Sequence, residues 1–431
     1  MRFNAHPNVL ILAYSISPVR GSEYSVGWNH IINISRFCNL TVLYGLAGPH
    51  MGDFDEIENF LKLNGPLPNV RFVPIRPSFF ARFLNYPNRH GFLTYSFYLA
   101  YTFWHRSAAK KAKLLLANEP FDLVHYLCPI GYREPGYLWQ FKKPYIWGPI
   151  GGMTPFRILK GRPISTGMKA KMIFKNFINN IQLKNSRRVY KAMKRSDILV
   201  ASTTQTSNII ENNFHVEAKW IPENAIPDSE IQILNTQDKP EVSSLTRLIW
   251  IGSLNSRKSP DLLIDVIGQM SEKTWHLDIV GSGPMHDSVI SMIASLDLSD
   301  KVTMHGQIGR NEVKKLLTLA DLHIITSMQE ANTTVIFEAM AAGVPTISLD
   351  HMGMHDTICD VCGVLVPIFN YQRTRDLMAS KIDQLVSNSR ILSSKKKGVL
   401  QCMQQHLWSN RAKKWLEIYE EAIINHESKK I

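Results

Sequence analysis

The sequence predicts an α/β protein made of two doubly wound domains, each built on a parallel sheet. Its 431 residues exceed what a single hydrophobic core usually serves. Both halves alternate short apolar strand patterns with helical patterns, which is typical of βαβ units and parallel sheets. A polar stretch with two prolines, 224–246, separates the halves and is interpreted as the linker between the domains.

Strand and helix patterns recur along the whole chain. In the first half, apolar runs predict strands at 9–15, 40–44, 70–75, 123–127, 145–147 and 198–201. Helical periodicity lies between them, most clearly over 24–37 and 96–117. In the second half, strands are predicted at 248–252, 277–281, 302–305, 322–326, 346–349 and 364–367. The tail, 375–427, has a helical pattern rich in lysine and glutamate.

The composition is that of an ordinary globular protein, with 45% apolar and 20% charged residues. The longest candidate for a membrane span, 91–104, is too short to cross a bilayer. The first residues lack a signal-peptide pattern, because their apolar run is a predicted strand with no small-residue cleavage site after it. We therefore expect a cytoplasmic protein.

The net charge of +13 is concentrated in the first half of the chain. Residues 157–196 contain twelve lysines and arginines and no acidic residue, and residues 59–118 contain nine and again no acidic residue. Within 157–196, apolar side chains recur at helical spacing among the basic ones, at Ala170, Ile173, Phe174, Phe177, Ile178 and Ile181. A basic amphipathic helix is typical of a membrane surface, where each engaged basic residue contributes about 1 kcal/mol. The alternative is an ordinary core face with a solvated outer side.

Nucleic acid is the competing anionic partner. The first half also holds an aromatic cluster, which consists of Phe79, Phe80, Phe83, Tyr86, Phe92, Tyr95, Phe97, Tyr98, Tyr101, Phe103 and Trp104. These aromatics follow a helical pattern and not the alternate positions of a base-stacking strand, and no nucleic-acid-binding signature is present. We expect the basic half to contact an anionic membrane surface and no nucleic acid.

Two short motifs were weighed as metal sites and neither predicts one. Cys359 and Cys362 form a C-x-x-C, but no second pair and no nearby histidine pair completes a zinc site, so reduced thiols are expected. Asp53 and Asp55 form a D-x-D in a polar loop and are interpreted as surface acids. We expect no metal and no separate cofactor.

Glu330 and Glu338 are the most informative residues of the chain. Glu330 lies in a polar loop directly after the strand pattern 322–326. Glu338 lies one turn inside the helical pattern 334–342, which ends at Gly343. A strand, a loop with a carboxylate and a free helix N-terminus make a polar pocket with exposed N–H donors. Such a pocket suits a molecule that is both hydroxylated and anionic, and a nucleotide-sugar fits that description.

The run SMQEANTTVIFEAMAAGVPTISLD around these glutamates resembles the donor-binding signature of family 4 glycosyltransferases. Four more segments resemble that family in order and spacing, namely IGSLNSRKSPDLLIDVI, LDIVGSGP, VTMHGQIGRNEVKKLLTLADL and CGVLVP. In the first half, SPVRGSEYSVGW and WGPIGG resemble a polysaccharide-assembly branch of it. The resemblance implies a GT-B architecture, in which two Rossmann-like domains face each other across a cleft. The implied parts are an acceptor-binding domain over 1–225, a nucleotide-sugar-binding domain over 226–405, and a last helix within 406–431 that crosses back to the first domain.

The resemblance also implies roles for individual residues of the donor site. Glu338 resembles the glutamate that accepts the ribose hydroxyls, and Glu330 resembles the one oriented toward the donor sugar. Lys258 resembles the lysine that neutralises the diphosphate. Further groups implied to bind sugar or phosphate are the backbone N–H groups of Ala331, Asn332, Thr333 and Thr334.

Three positions depart from the family pattern. The arginine that commonly follows the first glycine is replaced by Ser253, and Arg257 is the residue that could take its place at the diphosphate. The glycine after the lysine is Ser259. The glycine- and phenylalanine-rich stretch after the first glutamate is here Asn332-Thr333-Thr334, in which Asn332 or Thr333 can still cap the helix.

On the acceptor side, Gly21 would bring the backbone close to the donor phosphates, with Ser22 as the cap of the helix that follows. His125 ends a predicted strand and resembles a histidine found at that edge in relatives. A second histidine is common two residues on, and this chain has Leu127 there. A catalytic and a structural role for His125 are therefore equally supported.

The resulting hypothesis is a retaining glycosyltransferase, peripheral on the cytoplasmic face of the inner membrane. It would move a hexose or N-acetylhexosamine from a nucleotide-sugar, with UDP-sugars favoured, to a lipid-linked glycan during cell-surface polysaccharide assembly. Its predicted catalytic residues are Glu330, Lys258 and His125. Two alternatives stay open: a GT-B epimerase or phosphorylase, and a non-catalytic protein that binds anionic membranes or nucleic acid.

Overall fold

The computed structural model describes residues 6–21, 23–46, 51, 55–93, 96–230, 245–272 and 274–429. Ser22, Asp53, Tyr95 and most of the predicted linker lie outside the described residues. The chain forms two compact units. Unit 1 comprises Met1–Thr154, Ile181–Glu223 and Trp408–Ile431, and unit 2 comprises Pro155–Asn180 and Asn224–Leu407. Segment 155–180 thus counts with the second unit, and the functional borders expected at 225 and 405 stay a prediction.

Parallel strands form the sheet of unit 1. They are β1 (Asn8–Ala13), β2 (Asn39–Gly45), β3 (Val70–Ile75), β4 (Leu123–Cys128), β5 (Tyr145–Ile150), β6 (Ile198–Ala201) and β7 (Ala218–Trp220). Their order across the sheet is β3-β2-β1-β4-β5-β6-β7. In the central strand, Leu10 pairs with Thr41 of β2 on one side and with Val124 of β4 on the other.

A second parallel sheet forms unit 2. Its strands are β8 (Thr246–Ile251), β9 (Trp275–Val280), β10 (Val302–Gly306), β11 (Leu322–Ile325), β12 (Thr346–Leu349) and β13 (Gly363–Val366). Their order is β10-β9-β8-β11-β12-β13. Each recorded pair is parallel, for example Leu322 of β11 beside Leu248 of β8.

The helices of the described residues connect these strands. In chain order they are α1 (Glu23–Ile34), α2 (Glu56–Asn64), α3 (Phe79–Arg89), α4 (Ser96–Asn118), α5 (Thr166–Asn185), α6 (Arg187–Arg195), α7 (Thr204–Phe214), α8 (Pro260–Gly268), α9 (His286–Ser295), α10 (Arg310–Leu319), α11 (Thr334–Ala341), α12 (Met352–Thr357), α13 (Tyr371–Ser387), α14 (Ser389–Met403) and α15 (Trp408–Ser428). The terminal helix α15 belongs to unit 1, where its Trp415 and Tyr419 share a core with Trp28 and Ile31 of α1.

Each sheet is covered on both faces, as parallel sheets are. Successive side chains of a strand point to opposite faces, so Leu10 of β1 lies in one core of unit 1 and Ile11 lies in another. In unit 2, Leu248 of β8 lies in one core and Ile249 lies in another. The two doubly wound units confirm the predicted fold class.

The order of strands reverses once in each sheet, between β1 and β4 in unit 1 and between β8 and β11 in unit 2. At such a switch point the loops that leave the carboxyl ends of the two strands diverge and open a crevice, where ligands bind. In unit 2 these are the loops 252–259 and 326–333. The motif that contains Lys258 and the loop that contains Glu330 therefore meet because of the topology.

The predicted strands are confirmed, with ends shifted by at most three residues. Strand β7 was missed, because it has only three residues and two of them, Lys219 and Trp220, are exposed. The expectation of reduced thiols is wrong for Cys359, whose Sγ is bonded to Sγ of Cys402. Among the helices that the structure describes, none combines the length and the apolar character needed to cross a membrane.

Candidate active site

The loop after β8 carries two adjacent cationic residues. The side-chain oxygen of Asn255 accepts hydrogen bonds from the backbone N–H groups of Arg257 and Lys258, both at 3.1 Å. Ser259 follows with a φ of 52°, in the left-handed region that favours glycine, and it is completely buried. This backbone conformation gives a physical reason for the glycine that the family pattern has at this position. The turn directs Arg257 and Lys258 to the carboxyl end of the sheet.

Arg257 and Lys258 both pair with Glu330. Arg257 Nη1 lies 2.7 Å from Glu330 Oε1, and Lys258 Nζ pairs with the same oxygen. The Lys258 and Glu330 side chains are 11% and 10% exposed, whereas that of Arg257 is 43% exposed. Because two cations share one carboxylate, the cluster carries an excess positive charge, which suits an anionic ligand such as a diphosphate.

A buried threonine, which sequence analysis did not single out, joins the two loops. The hydroxyl of Thr326 lies 2.9 Å from the carbonyl oxygens of both Lys258 and Ser259, to which it donates. Its oxygen accepts from the indole N–H of Trp250 at 3.1 Å. The backbone N–H of Met328 also donates to the Arg257 carbonyl, at 2.8 Å. These bonds hold the Lys258 loop at a fixed position relative to the Glu330 loop.

Two glycines permit close backbone approaches around the same loops. A Cβ at Gly281, directly after β9, would lie 1.9 Å from the carbonyl oxygen of Gly252. A Cβ at Gly353, in α12, would lie 1.7 Å from the carbonyl oxygen of Ala331. Both separations are far below any real contact, so only glycine fits, and the position of Ala331 depends on Gly353.

The N-terminus of α11 follows the Glu330 loop. Thr333 is the N-cap residue, but its side chain makes no capping hydrogen bond. Asn332 instead uses its side-chain oxygen to accept from the Thr357 hydroxyl, at 3.2 Å. Thr333 thus occupies the expected N-cap position, but its side chain does not bond the N–H groups of the first turn, from Thr334 onward. An N-terminus of this kind binds anions and polar oxygens.

Glu338 lies on α11, in a partly buried cluster of charged residues with Arg310, Lys314 and Glu230. Its Oε1 is 3.5 Å from Arg310 Nη2, and its side chain is 22% exposed. Burial raises the pKa of Glu338, and the charge of Glu230 raises it further, while Arg310 and Lys314 oppose the change. Glu230 itself pairs with Lys314 at 2.6 Å. Arg310, Lys314 and Glu230 were missed in the sequence analysis, since they lie on other elements and carry no motif that points to Glu338.

Ser253, which stands where the family pattern has an arginine, is exposed. Its carbonyl oxygen accepts from the N–H of Asn255 at 2.8 Å. Arg257 lies on the same loop and is held by Glu330 and by the Gln329 carbonyl, at 3.1 Å. Its guanidinium therefore lies at the cluster to which the missing arginine would have contributed.

In unit 1, the predicted phosphate-facing loop after β1 is only partly described. Gly21 is exposed, and a Cβ there would meet no atom of the described residues within 4 Å. Ser22, the predicted cap, lies outside the described residues. The next residue, Glu23, accepts a hydrogen bond from the Ile130 N–H at 3.0 Å, and burial raises the pKa of its carboxyl. This bond connects the loop after β1 to the loop after β4.

His125 lies on β4 and is completely buried. Its Nε2 is 2.7 Å from the carbonyl oxygen of Gly148, so Nε2 carries the hydrogen and donates it. Its Nδ1 then accepts from the Tyr419 hydroxyl at 2.8 Å, and Tyr419 oxygen accepts in turn from His30 Nε2 at 3.1 Å. Burial lowers the pKa of His125 to about 4, so the ring is neutral at pH 7.

The structure brings some of the predicted site residues together and keeps others apart. Arg257, Lys258 and Glu330 form one ion-paired cluster. Ala331 to Thr334 continue directly from it into α11, and Glu338 makes its own ion pair one turn further on. Of the residues predicted in unit 1, Gly21 lies in the loop between β1 and α1. His125 lies in the middle of β4 and does not end the strand as predicted, because Tyr126, Leu127 and Cys128 continue it.

One family of known proteins matches the C-terminal part of the chain. Residues 234–398 match the family model described as "Glycosyl transferases group 1". This part of the chain is therefore similar to that family. The match contains the two loops and helix α11 described above.

Individual relatives agree with that family match. The chain is 29% identical over 182 residues to an uncharacterized glycosyltransferase of Methanocaldococcus jannaschii, which covers 41% of this chain and 45% of that protein. It is 27% identical over 130 residues to the amylovoran biosynthesis glycosyltransferase AmsK of Erwinia amylovora, which covers 28% of this chain and 32% of that protein. The chain thus matches less than half the length of these curated relatives.

The fold extends beyond the matched domain. The structure of HepE from Anabaena, in complex with UDP and glucose, superposes with a TM-score of 0.59 at 14% sequence identity. The superposition covers 96% of this chain and 100% of HepE. At this identity the likeness shows the fold alone, and that fold is GT-B, with two Rossmann-like units. The family match lies within the second unit.

Proposed function

We propose that the protein is a retaining family 4 glycosyltransferase that uses a nucleotide-sugar donor. The observation that carries the proposal is the cluster in which Arg257 and Lys258 share the carboxylate of Glu330 directly before the N-terminus of α11. A departing nucleoside diphosphate gains negative charge, and preplaced cations and N–H donors stabilise that charge most effectively.

The parts of the cluster divide the work of holding the donor. Lys258, with a nearly buried ammonium, neutralises the diphosphate, and Arg257 supplements it from the exposed side. The N–H groups from Ala331 to Thr334 bind phosphate or sugar oxygens. When the diphosphate of the donor also pairs with Arg257 and Lys258, Glu330 can accept hydrogen bonds from hydroxyl groups of the transferred sugar.

Glu338 binds the ribose of the nucleoside. A carboxylate can accept from two neighbouring hydroxyls at once. Because burial raises the pKa of Glu338, hydrogen bonds from two ribose hydroxyls would stabilise its charged form. Arg310, whose Nη2 lies 3.5 Å from Glu338 Oε1, helps to orient this carboxylate.

Transfer with retention follows from a front-face departure and attack. The C–O bond to the diphosphate breaks as Lys258, Arg257 and the helix N-terminus take up the leaving charge. The acceptor hydroxyl then attacks from the side that the diphosphate leaves, and the diphosphate oxygen takes its proton. The hydrogen bond from His125 Nε2 to the Gly148 carbonyl supports a role for His125 in positioning the segment 148–152, which begins in β5.

The acceptor is a lipid-linked glycan in cell-surface polysaccharide assembly, and the protein meets it on the cytoplasmic face of the inner membrane. Large apolar side chains of α3, among them Phe79 and Phe83, are 87% and 65% exposed. On α5, Phe174 and Phe177 are 64% and 58% exposed between lysines, so this face is not an ordinary core face. Exposed apolar and basic residues on one helix favour an anionic membrane surface.

The donor site is tested by thermal unfolding of the purified protein with UDP-, GDP-, ADP- and dTDP-sugars. A ligand at a hundred times its dissociation constant adds about 2.7 kcal/mol, which moves the midpoint by a few degrees. We expect one nucleotide to stabilise the wild type and not Glu338→Ala. The matched control is Glu58→Ala, which removes an exposed glutamate of unit 1 and should respond like the wild type. If no nucleotide shifts either protein, the donor site does not exist as proposed.

Transfer is tested by nucleotide release with and without a lipid-linked glycan acceptor. A transferase releases nucleotide only when the acceptor is present, and the anomeric configuration of the product reports retention. Release without acceptor, or conversion of the donor alone, would instead assign an epimerase or a phosphorylase.

Membrane attachment is tested by flotation with vesicles of anionic phospholipid. We expect the wild type to float with the vesicles and to detach as salt is raised. The double variant Phe174→Ser, Phe177→Ser should lose flotation, whereas Ile290→Ser, which changes an exposed apolar residue of α9, should keep it. Equal flotation of both variants contradicts the attachment through α5.

A further inference from the structure

Three cysteines of unit 2 lie together at a place that the proposed reaction does not use. The Sγ atoms of Cys359, Cys362 and Cys402 all lie within 4.8 Å of one another. Cys362 and Cys402 are only 2% and 3% exposed, whereas Cys359 is exposed. We propose that these three thiolates bind one thiophilic divalent metal ion, of which zinc is the natural choice. The exposed side at Cys359 leaves a coordination position to solvent.

The C-x-x-C segment forms a turn that directs both of its sulfurs to one side. The N–H groups of Cys362 and Gly363 donate to the carbonyl oxygen of Cys359, at 3.0 and 3.1 Å. The N–H of Cys359 in turn points at Cys362 Sγ, at 3.3 Å, and the two Sγ atoms are 3.3 Å apart. Thiolates around a tetrahedral zinc, at Zn–S distances of about 2.3 Å, are separated by roughly 3.8 Å. A small adjustment therefore brings these two sulfurs to the spacing of metal ligands.

Helix α14 supplies the third sulfur through an unusually close approach. A Cβ at Gly398 would lie 1.9 Å from the carbonyl oxygen of Val361, inside the C-x-x-C. Gly398 precedes Cys402 by four residues, one turn along the same face of the helix. A glycine inside a helix costs about 1 kcal/mol relative to alanine, and here it lets the helix bring Cys402 to the turn.

The disulfide between Cys359 and Cys402 that the structure shows is the oxidised form of this cluster, and the metal would bind the reduced form, in which all three thiols are free. The Cα atoms of Cys359 and Cys402 are 7.7 Å apart, beyond the usual disulfide range of about 4.4–6.8 Å. Residues that share a metal ion are under no such limit, because the ion lies between their sulfurs. A disulfide would also leave Cys362 as a buried third thiol with no use, whereas a metal engages all three.

The site would act on stability and not on the reaction itself. Cys362 and Cys402 share a core with Phe337 and Met340 of α11, the helix that carries Glu338. A bound ion would join the loop before β13 to α14 and so hold the surface on which α11 packs. We therefore expect metal to raise the unfolding temperature without taking part in sugar transfer.

The test uses the untagged full-length protein, reduced and kept free of oxygen, titrated with Co²⁺ as a spectroscopic substitute for zinc. We expect one Co²⁺ per chain, with the intense visible absorption of a tetrahedral ion and a thiolate charge-transfer band, both lost when Zn²⁺ is added. Cys402→Ser and Cys359→Ser should lose these bands. Cys38→Ala, which removes a buried thiol of unit 1, should keep them. Zinc should raise the unfolding temperature of the wild type and of Cys38→Ala only.

Three outcomes would overturn the metal site. Folded, reduced wild type could show no thiolate bands. The two serine variants could bind Co²⁺ as the wild type does. Lastly, alkylation and mass measurement could show that Cys359 and Cys402 stay joined when the protein is reduced in the presence of zinc. Cys359→Ser changes an exposed position, so it remains informative if Cys402→Ser does not fold.

Discussion

Lys258 and Glu330 form an ion pair whose side chains are only 11% and 10% exposed. They come from the loops after β8 and β11, the two neighbouring strands at which the order of the second sheet reverses. Thr326 ties these loops together by hydrogen bonds to the backbone of Lys258 and Ser259. The pair is therefore a direct consequence of the topology. Together with Arg257 it forms a cluster with excess positive charge that is already in place without a ligand.

Replacement of Lys258 should lower turnover far more than it lowers the free energy of unfolding. In Lys258→Met, Glu330 keeps Arg257 as a partner, so we expect a loss of about 1–3 kcal/mol in unfolding free energy. The diphosphate loses its nearest buried cation, so turnover should fall by about 10²–10³-fold. Acceptor-dependent nucleotide release and urea unfolding measure the two effects.

Lys62→Met is the matched control, because it removes a lysine that is 66% exposed and pairs with Glu58 within one helix. Both its stability and its turnover should stay close to those of the wild type. Turnover of Lys258→Met within twofold of the control would remove Lys258 from the donor site.

Glu338 should make stability depend on pH. Because the folded protein raises the pKa of this carboxyl above its ordinary value of 4.5, the folded state favours the protonated form. The stabilisation is complete below that value and is lost as pH rises through the raised pKa. Urea unfolding between pH 4.5 and 8 should therefore show the wild type losing stability relative to Glu338→Gln. A constant difference between the two proteins across this range would contradict the assignment.

The parts of this fold that repeat a local pattern were predictable from sequence, and the parts that depend on contacts between distant residues were not. The strands before Lys258 and Glu330 are apolar runs, and Gly343 follows shortly after the end of α11, so both loops could be placed. Thr326 could not be recognised, since its role arises only when β8 and β11 pair.

The same limit applies to the surroundings of Glu338 and to the cysteines. Arg310 and Glu230 approach Glu338 from α10 and from the segment before β8, which no spacing rule connects. Cys402 lies 43 residues from Cys359 and reaches it only because Gly398 lets α14 approach the turn. A motif search restricted to short spacings sees the C-x-x-C alone.

Replacement of Ser259 by glycine, the residue of the family pattern, should stabilise the protein. Its φ of 52° costs a residue with a Cβ about 1–2 kcal/mol, and glycine pays no such cost in the folded state. Part of the gain is lost through the greater freedom of glycine in the unfolded chain and through the hydrogen bond from Ser259 to Ser256, at 3.2 Å. We expect Ser259→Gly to be more stable by a few tenths to about 1 kcal/mol.

Ser259→Val provides the opposite change at the same position. A β-branched residue is the least suited to positive φ, and the site is fully buried, so we expect it to be less stable than the wild type by about 2 kcal/mol or more. If urea unfolding places Ser259→Gly below the wild type, backbone strain does not govern this position.

The hydrogen-bonded chain from His30 through Tyr419 to His125 should weaken the fold in acid. Burial lowers the pKa of His125 to about 4, so the unfolded chain binds a proton at its ordinary pKa of 6.5 while the folded one does not. Stability due to this residue is complete above pH 6.5 and is lost as pH falls toward 4, with a slope of up to about 1.4 kcal/mol per pH unit. His125→Gln can still donate to Gly148 but cannot titrate, so its stability should fall less steeply over that range. Turnover is compared above pH 7, under conditions in which both proteins are fully folded. A loss of turnover there would show that His125 acts on the reaction itself, whereas unchanged turnover assigns it to the positioning of Gly148.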